Sequence, residues 1–146
     1  MTLSTEGEAL DSRGFGRERC LALMASVPIG RVVYTDQALP AVTPVNFVLH
    51  GGQVTIRTAG STLAAAVRGA VVAFQTDDID PVTLTGWSVT VVGRARLVEL
   101  PEETAGPPLR PWVHLTGGSY IRITARDVSG CRLVLAARPG PSAQAG

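Results

Sequence analysis

At 146 residues the chain has the length of one ordinary domain, and its 45% hydrophobic residues suffice for a core. Only 5% of residues are aromatic, so that core is expected to consist of Val, Leu, Ile and Ala. A formal net charge of +1, with the basic residues scattered singly, excludes a general electrostatic pull toward nucleic acid or an anionic membrane.

The first 15 residues read as a flexible arm that lacks the basic start and apolar stretch of a signal peptide. No apolar run approaches the ~20 residues of a membrane span, so a cytoplasmic protein is the expectation. Over residues 16–26 the pattern is helical: Cys20, Leu23, Met24 and Val27 fall at three- and four-residue spacings, while Arg17, Glu18 and Arg19 stay outside. Pro28 and Gly30 end the helix. Strands are predicted over 30–35, 40–49 and 53–58, with His50-Gly51-Gly52 as a hairpin turn. In the second of these, Pro44 has no N–H for a sheet ladder and implies an edge or a bulge.

An alanine-rich helix is expected over 62–68, with Ser61 as its N-cap and Gly69 closing it. A strand over 71–76 leads into an acidic turn at 77–81. Residues 86–100 form the longest strand candidate, with a bend or bulge expected at Gly93. A proline-rich connection over 101–111 precedes strands at 119–124 and 131–136, joined near 127–130, and 137–146 reads as a disordered tail. Six or seven antiparallel strands with two or three short helices, and no βαβ alternation, point to a mainly β, Greek-key split barrel over residues 16–136.

Catalytic signatures are sparse. His50 and His114 share no metal-ligand spacing with each other or with Cys20 and Cys131, which read as two reduced thiols. No Gly-x-Ser-x-Gly elbow is present, and the cluster Asp77, Asp78 and Asp80 lacks an EF-hand's twelve-residue loop. Three local features carry more chemistry. In the segment Ile56 to Leu63 a strand ends in Arg57, a glycine follows, and the hydroxyls of Ser61 and Thr62 open a helix; free N–H groups, the helix dipole and a guanidinium suit a phosphate. An ordinary capped helix explains the same pattern. Trp87 and Ser88 at the head of the long strand suit a polar aromatic ligand, or a core or interface tryptophan. The Pro-interrupted stretch Pro44-Val45-Asn46-Phe47 leaves backbone groups free to meet the edge of a flat ring.

Taken in order, these features resemble the pyridoxamine 5′-phosphate oxidase-like family of flavin-binding split barrels, and its nitroimidazole-resistance branch in particular. The matching parts are Gly30-Arg31; Leu39-Pro40 with Thr43 to Phe47; Ile56-Arg57-Thr58 with Gly60-Ser61 and Leu63; Val72-Ala73-Phe74; Asp77 to Asp80; Thr85 to Val89 with Gly93-Arg94-Ala95; and Tyr120 to Ile123 with Ser129-Gly130. The resemblance implies a homodimer with FMN at the subunit interface and a small-molecule substrate. Arg57, Thr58, Ser61 and Thr62 would lie at the phosphate. Thr43, Val45 and Asn46 would line the isoalloxazine ring, and Trp87 and Ser88 would reach in from the neighbouring subunit.

Many relatives carry a Lys directly after the phosphate-loop serine, where this chain has Thr62. A charge-assisted hydrogen bond is worth roughly 1.5–3 kcal/mol, so a weaker grip on FMN follows. The change also leaves room for the deazaflavin F420. The resemblance thus points to an FMN-dependent oxidoreductase, with an F420-dependent reductase or a non-catalytic flavin-binding module as alternatives. No side chain stands out as a proton donor, and no second basic cluster is present to grip a substrate phosphate.

Overall fold

The computed structural model describes residues 14–57, 62–100 and 118–135. The expected arm, proline-rich connection and tail therefore lie outside the described residues, except for residues 14 and 15. Helix α1 (Arg17–Ala25) is the first described element, with Gly16 as its N-cap. Strands β1 (Ile29–Asp36), β2 (Leu39–Asn46), β3 (Val48–His50) and β4 (Gln53–Arg57) follow. After the short helix α2 (Thr62–Val67) come β5 (Val71–Asp80), β6 (Thr85–Leu100), β7 (Gly118–Thr124) and β8 (Asp127–Val134). Neither described helix is long and apolar enough to cross a membrane.

All strand pairings are antiparallel, in the order β2-β1-β5-β6-β7-β4-β3, with β8 also paired to β6. The long strand β6 is the spine. Its residues 85–92 lie between β5 and β8, and its residues 95–100 pair with β7. The register shifts by one residue between these two stretches, because Ala95 pairs with Ile123 whereas Val92 pairs with Asp127. Ala125 and Arg126 absorb the shift as a bulge. Gly93 sits opposite it, where an added Cβ would lie 1.7 Å from the Thr124 carbonyl oxygen. The sheet bends there into two open halves, a mainly β split barrel.

Side chains from both halves meet inside. Val32, Phe74, Val89 and Val91 come from one half, and Val54, Ile56, Ala95, Ile121 and Ile123 from the other. Helix α1 adds Cys20 and Met24, both fully buried, and α2 adds Leu63 and Val67. Phe47 meets Phe74 edge to face, with ring centroids 4.8 Å apart. Gly30 is required beneath that ring, since a Cβ there would lie 2.3 Å from Phe74.

Several expectations are corrected. The predicted strand over 40–49 is two strands, because Phe47 leaves the ladder to bury its ring. The acidic residues Asp77 to Asp80 are not a turn; they continue β5 in full register with β6. The turn lies over residues 81–84, where the Asp80 carboxylate accepts from the Val82 and Thr83 N–H groups at 2.8 and 3.3 Å. Residues 127–130, expected to join two strands, are the first half of β8, paired with Val89 to Val92. The count among the described residues is therefore eight strands rather than six or seven. The hairpin turn holds, with Gly51 and Gly52 both at positive φ (60° and 75°).

Candidate functional site

The candidate site starts on β2, which borders the sheet with β1 as its hydrogen-bonded neighbour. Alternation turns Thr43 and Val45 inward, where they are half-buried, and leaves Pro44 and Asn46 exposed on the opposite face. The Thr43 hydroxyl bonds the Tyr34 hydroxyl at 2.9 Å across the β1–β2 pair. Pro44 stands opposite Arg31, on a strand with no second ladder neighbour among the described residues, the setting in which a sheet tolerates proline.

Past Phe47 the chain re-enters the other half as β3. Val48 pairs with Thr55 of β4. Strands β2 and β4 are in contact. Arg57 is exposed at the end of β4 and pairs with Tyr120 of β7. Helix α2 packs on β1 and β6 through Leu63 and Val67, which leaves Thr62 exposed at its first position. Thr58 and Ser61 lie outside the described residues. Thr43, Val45 and Asn46 thus share β2, which touches β4, the strand that ends in Arg57, and Thr62 opens the next described element.

Trp87 and Ser88 lie elsewhere, on β6, which stands three places from β2 in the sheet order. They also point to opposite faces. Trp87, paired with Asp78 and Arg132, packs half-buried against the core. Ser88, paired with Asp77 and Cys131, faces the outer side of the sheet, the side that also carries Asn46.

On that outer face the sequence reading missed a polar cluster. The Gln75 amide bonds the Ser88 hydroxyl at 3.2 Å and the Asp77 carboxylate at 2.9 Å, and its carbonyl accepts from Arg31 at 3.2 Å. Arg31 and Asp77 approach to 3.7 Å, a partly solvated ion pair. The period-two alternation of Gln75 and Asp77 with the buried Phe74 and Thr76 is the available signal, masked in the sequence by the aspartates and Pro81 that follow and read as a turn. Around the cluster Ile29, Val33, Val42 and Val71 are exposed on the same face, Val42 and Val71 to 59% and 58%. Burial pushes the Cys20 thiol above its ordinary value of 9.0; a Cys131 thiolate adds to this and Arg19 opposes it. Cys20 is thus an inert core group.

The mainly β split barrel defines the class of protein, and comparison with known proteins agrees with it. The chain belongs to the pyridoxamine 5′-phosphate oxidase family, which it matches over residues 16–132. It is 42% identical over 130 residues to an uncharacterised protein of Mycobacterium tuberculosis, covering 84% of this chain and 86% of that protein. Among solved structures it resembles an FAD binding protein from Mycobacterium smegmatis, with a TM-score of 0.63 and 31% identity over 82% of this chain and 94% of the other. It likewise resembles a conserved protein of unknown function from Corynebacterium diphtheriae, with a TM-score of 0.66 and 29% identity over 89% of this chain and all of the other (100%).

Proposed function

We propose that this chain binds a flavin, with FMN as the first candidate, at a site shared by two copies, and serves as an oxidoreductase acting on a small molecule. The observation that carries the reading is the contact between β2, which ends in Asn46, and β4, which ends in the exposed Arg57. The donor set suits the group. The Arg57 guanidinium and the Thr62 hydroxyl offer hydrogen bonds to a phosphate. The Asn46 amide and the backbone groups on the outer edge of β2 offer donors and acceptors to the polar edge of a ring. Family membership and the 31% identity to an FAD binding protein support a flavin in particular.

When bound, the flavin would supply the electron or hydride transfer. The protein's part is to hold and orient it. Arg57 and Thr62 anchor the anionic end, Thr43 is held in place by Tyr34, and Val45 joins β2 to the core. A second copy is proposed because the outer sheet face combines exposed Ile29, Val33, Val42 and Val71 with Ser88. Two-fold packing of that face would cover the apolar residues and bring the partner's Ser88 toward the ring.

Flavin fluorescence titration tests the reading. Saturable binding of one FMN per chain is expected, weakened roughly 10- to 150-fold in Arg57→Ala by loss of a charge-assisted hydrogen bond. FAD and F420 run as competitors identify the preferred form. Reduction of the bound flavin by NADH or NADPH, followed by reoxidation by an added acceptor, separates a catalyst from a carrier. A protein that binds none of the three flavins has lost the site, and the proposal falls.

A further inference from the structure

We propose that Gln75 is a positioning residue that turns the Ser88 hydroxyl into a hydrogen-bond donor toward an acceptor atom of the flavin ring, an inference that rests on the flavin reading above. Gln75 lies on β5 between Arg31 of β1 and Thr90 of β6, in the middle of the outer face. Its amide can sit only one way round. The nitrogen lies 2.9 Å from the Asp77 carboxylate and 3.2 Å from the Thr76 carbonyl oxygen, both of them acceptors only. The oxygen lies 3.2 Å from the Arg31 guanidinium, a donor only. A flipped amide would set oxygen against two oxygens and NH2 against a cation.

The third neighbour of the amide nitrogen is Ser88 Oγ, at 3.2 Å. The two amide protons are therefore shared among three acceptors, and Ser88 takes part as an acceptor. Its own proton has no acceptor among the described residues. A serine held in this way presents O–H outward. An oxidised flavin ring offers acceptors at N1, N5 and its two carbonyl oxygens, and a donor at N3–H. The polarised Ser88 therefore selects one of the acceptor atoms and disfavours N3–H. Arg31 and Asp77 complete the device by holding the two ends of the amide.

The test uses the full chain as wild type, Ser88→Ala, Gln75→Leu and the double variant, with FMN as the probe. The readouts are Kd by fluorescence titration, the visible absorption band of the bound flavin, and far-ultraviolet circular dichroism to verify folding. Each single substitution is expected to weaken FMN about threefold to tenfold, the worth of one hydrogen bond, and to shift the visible band in the same way. Because Gln75 acts through Ser88, the double variant should be no weaker than either single one. Arg31→Met, which frees the Gln75 carbonyl, provides a second route should Gln75→Leu fail to fold; it should shift the band in the same direction. Losses that multiply in the double variant, or a band that moves in Ser88→Ala and stays in both Gln75→Leu and Arg31→Met, overturn the positioning role. A Ser88→Ala protein identical to wild type overturns it too and leaves the flavin reading intact. A wild-type protein that binds no flavin overturns both.

Discussion

Thr76 shows at the level of a single residue how the sheet separates packing from chemistry. It is fully buried in β5, and its hydroxyl has no hydrogen-bond partner among the described residues. Its neighbours Gln75 and Asp77, on the other face of the same strand, carry the outer polar cluster. A buried hydroxyl without a partner costs stability, whereas valine has the same shape without it. Thr76→Val is therefore expected to stabilise the fold by about 1 kcal/mol, read as a rise of a few degrees in the thermal midpoint. A fall in the midpoint would mean that the hydroxyl is satisfied in solution. The contrast with Thr43, whose hydroxyl is bonded to Tyr34, marks the second threonine as a fixed part of the candidate site.

Among the elements, β6 decides most. It serves both halves of the barrel, and the change of partner from β8 to β7 happens at Gly93. The close approach of Thr124 there involves backbone, which cannot swing aside as a side chain does. Gly93→Ala is expected to cost about 3 kcal/mol or more, or to abolish folding, as read by thermal unfolding. A variant with the wild-type midpoint would show that the bulge at Ala125 and Arg126 can open without cost. The same element explains two misreadings. Asp77, Asp78 and Asp80 have low strand propensity, and their place in β5 is decided by the partner strand from Thr85 to Ser88. Residues 127–130 look like a turn because of Ser129 and Gly130, yet Gly130 is used for close packing: a Cβ there would lie 2.8 Å from the Cys20 sulfur.

For the whole molecule the open question is association. Val33 and Val42 stand opposite each other on β1 and β2, exposed on the outer face. If that face is the dimer interface, Val33→Asp with Val42→Asp should leave a folded monomer whose affinity for FMN is reduced, because the partner's contribution to the site is lost. Light scattering, dichroism and FMN titration on one sample test this. A wild-type chain that is monomeric at micromolar concentration overturns the shared site, and a double variant that stays dimeric moves the interface to another face.

The sequence by itself determined the class of fold, the hairpin at Gly51-Gly52, the inward residues of α1 and the bend at Gly93, because each rests on local periodicity or on glycine's backbone freedom. It also brought out Arg57 and the β2 residues as site candidates through an ordered set of short motifs. Only the tertiary structure decided where β5 ends, that Trp87 and Ser88 face opposite sides of β6, and that Arg31, Gln75, Asp77 and Ser88 meet. Those outcomes depend on cross-strand register, which pairs Gln75 with residues 44 positions before it and 15 after it, and no local pattern encodes such distant pairing.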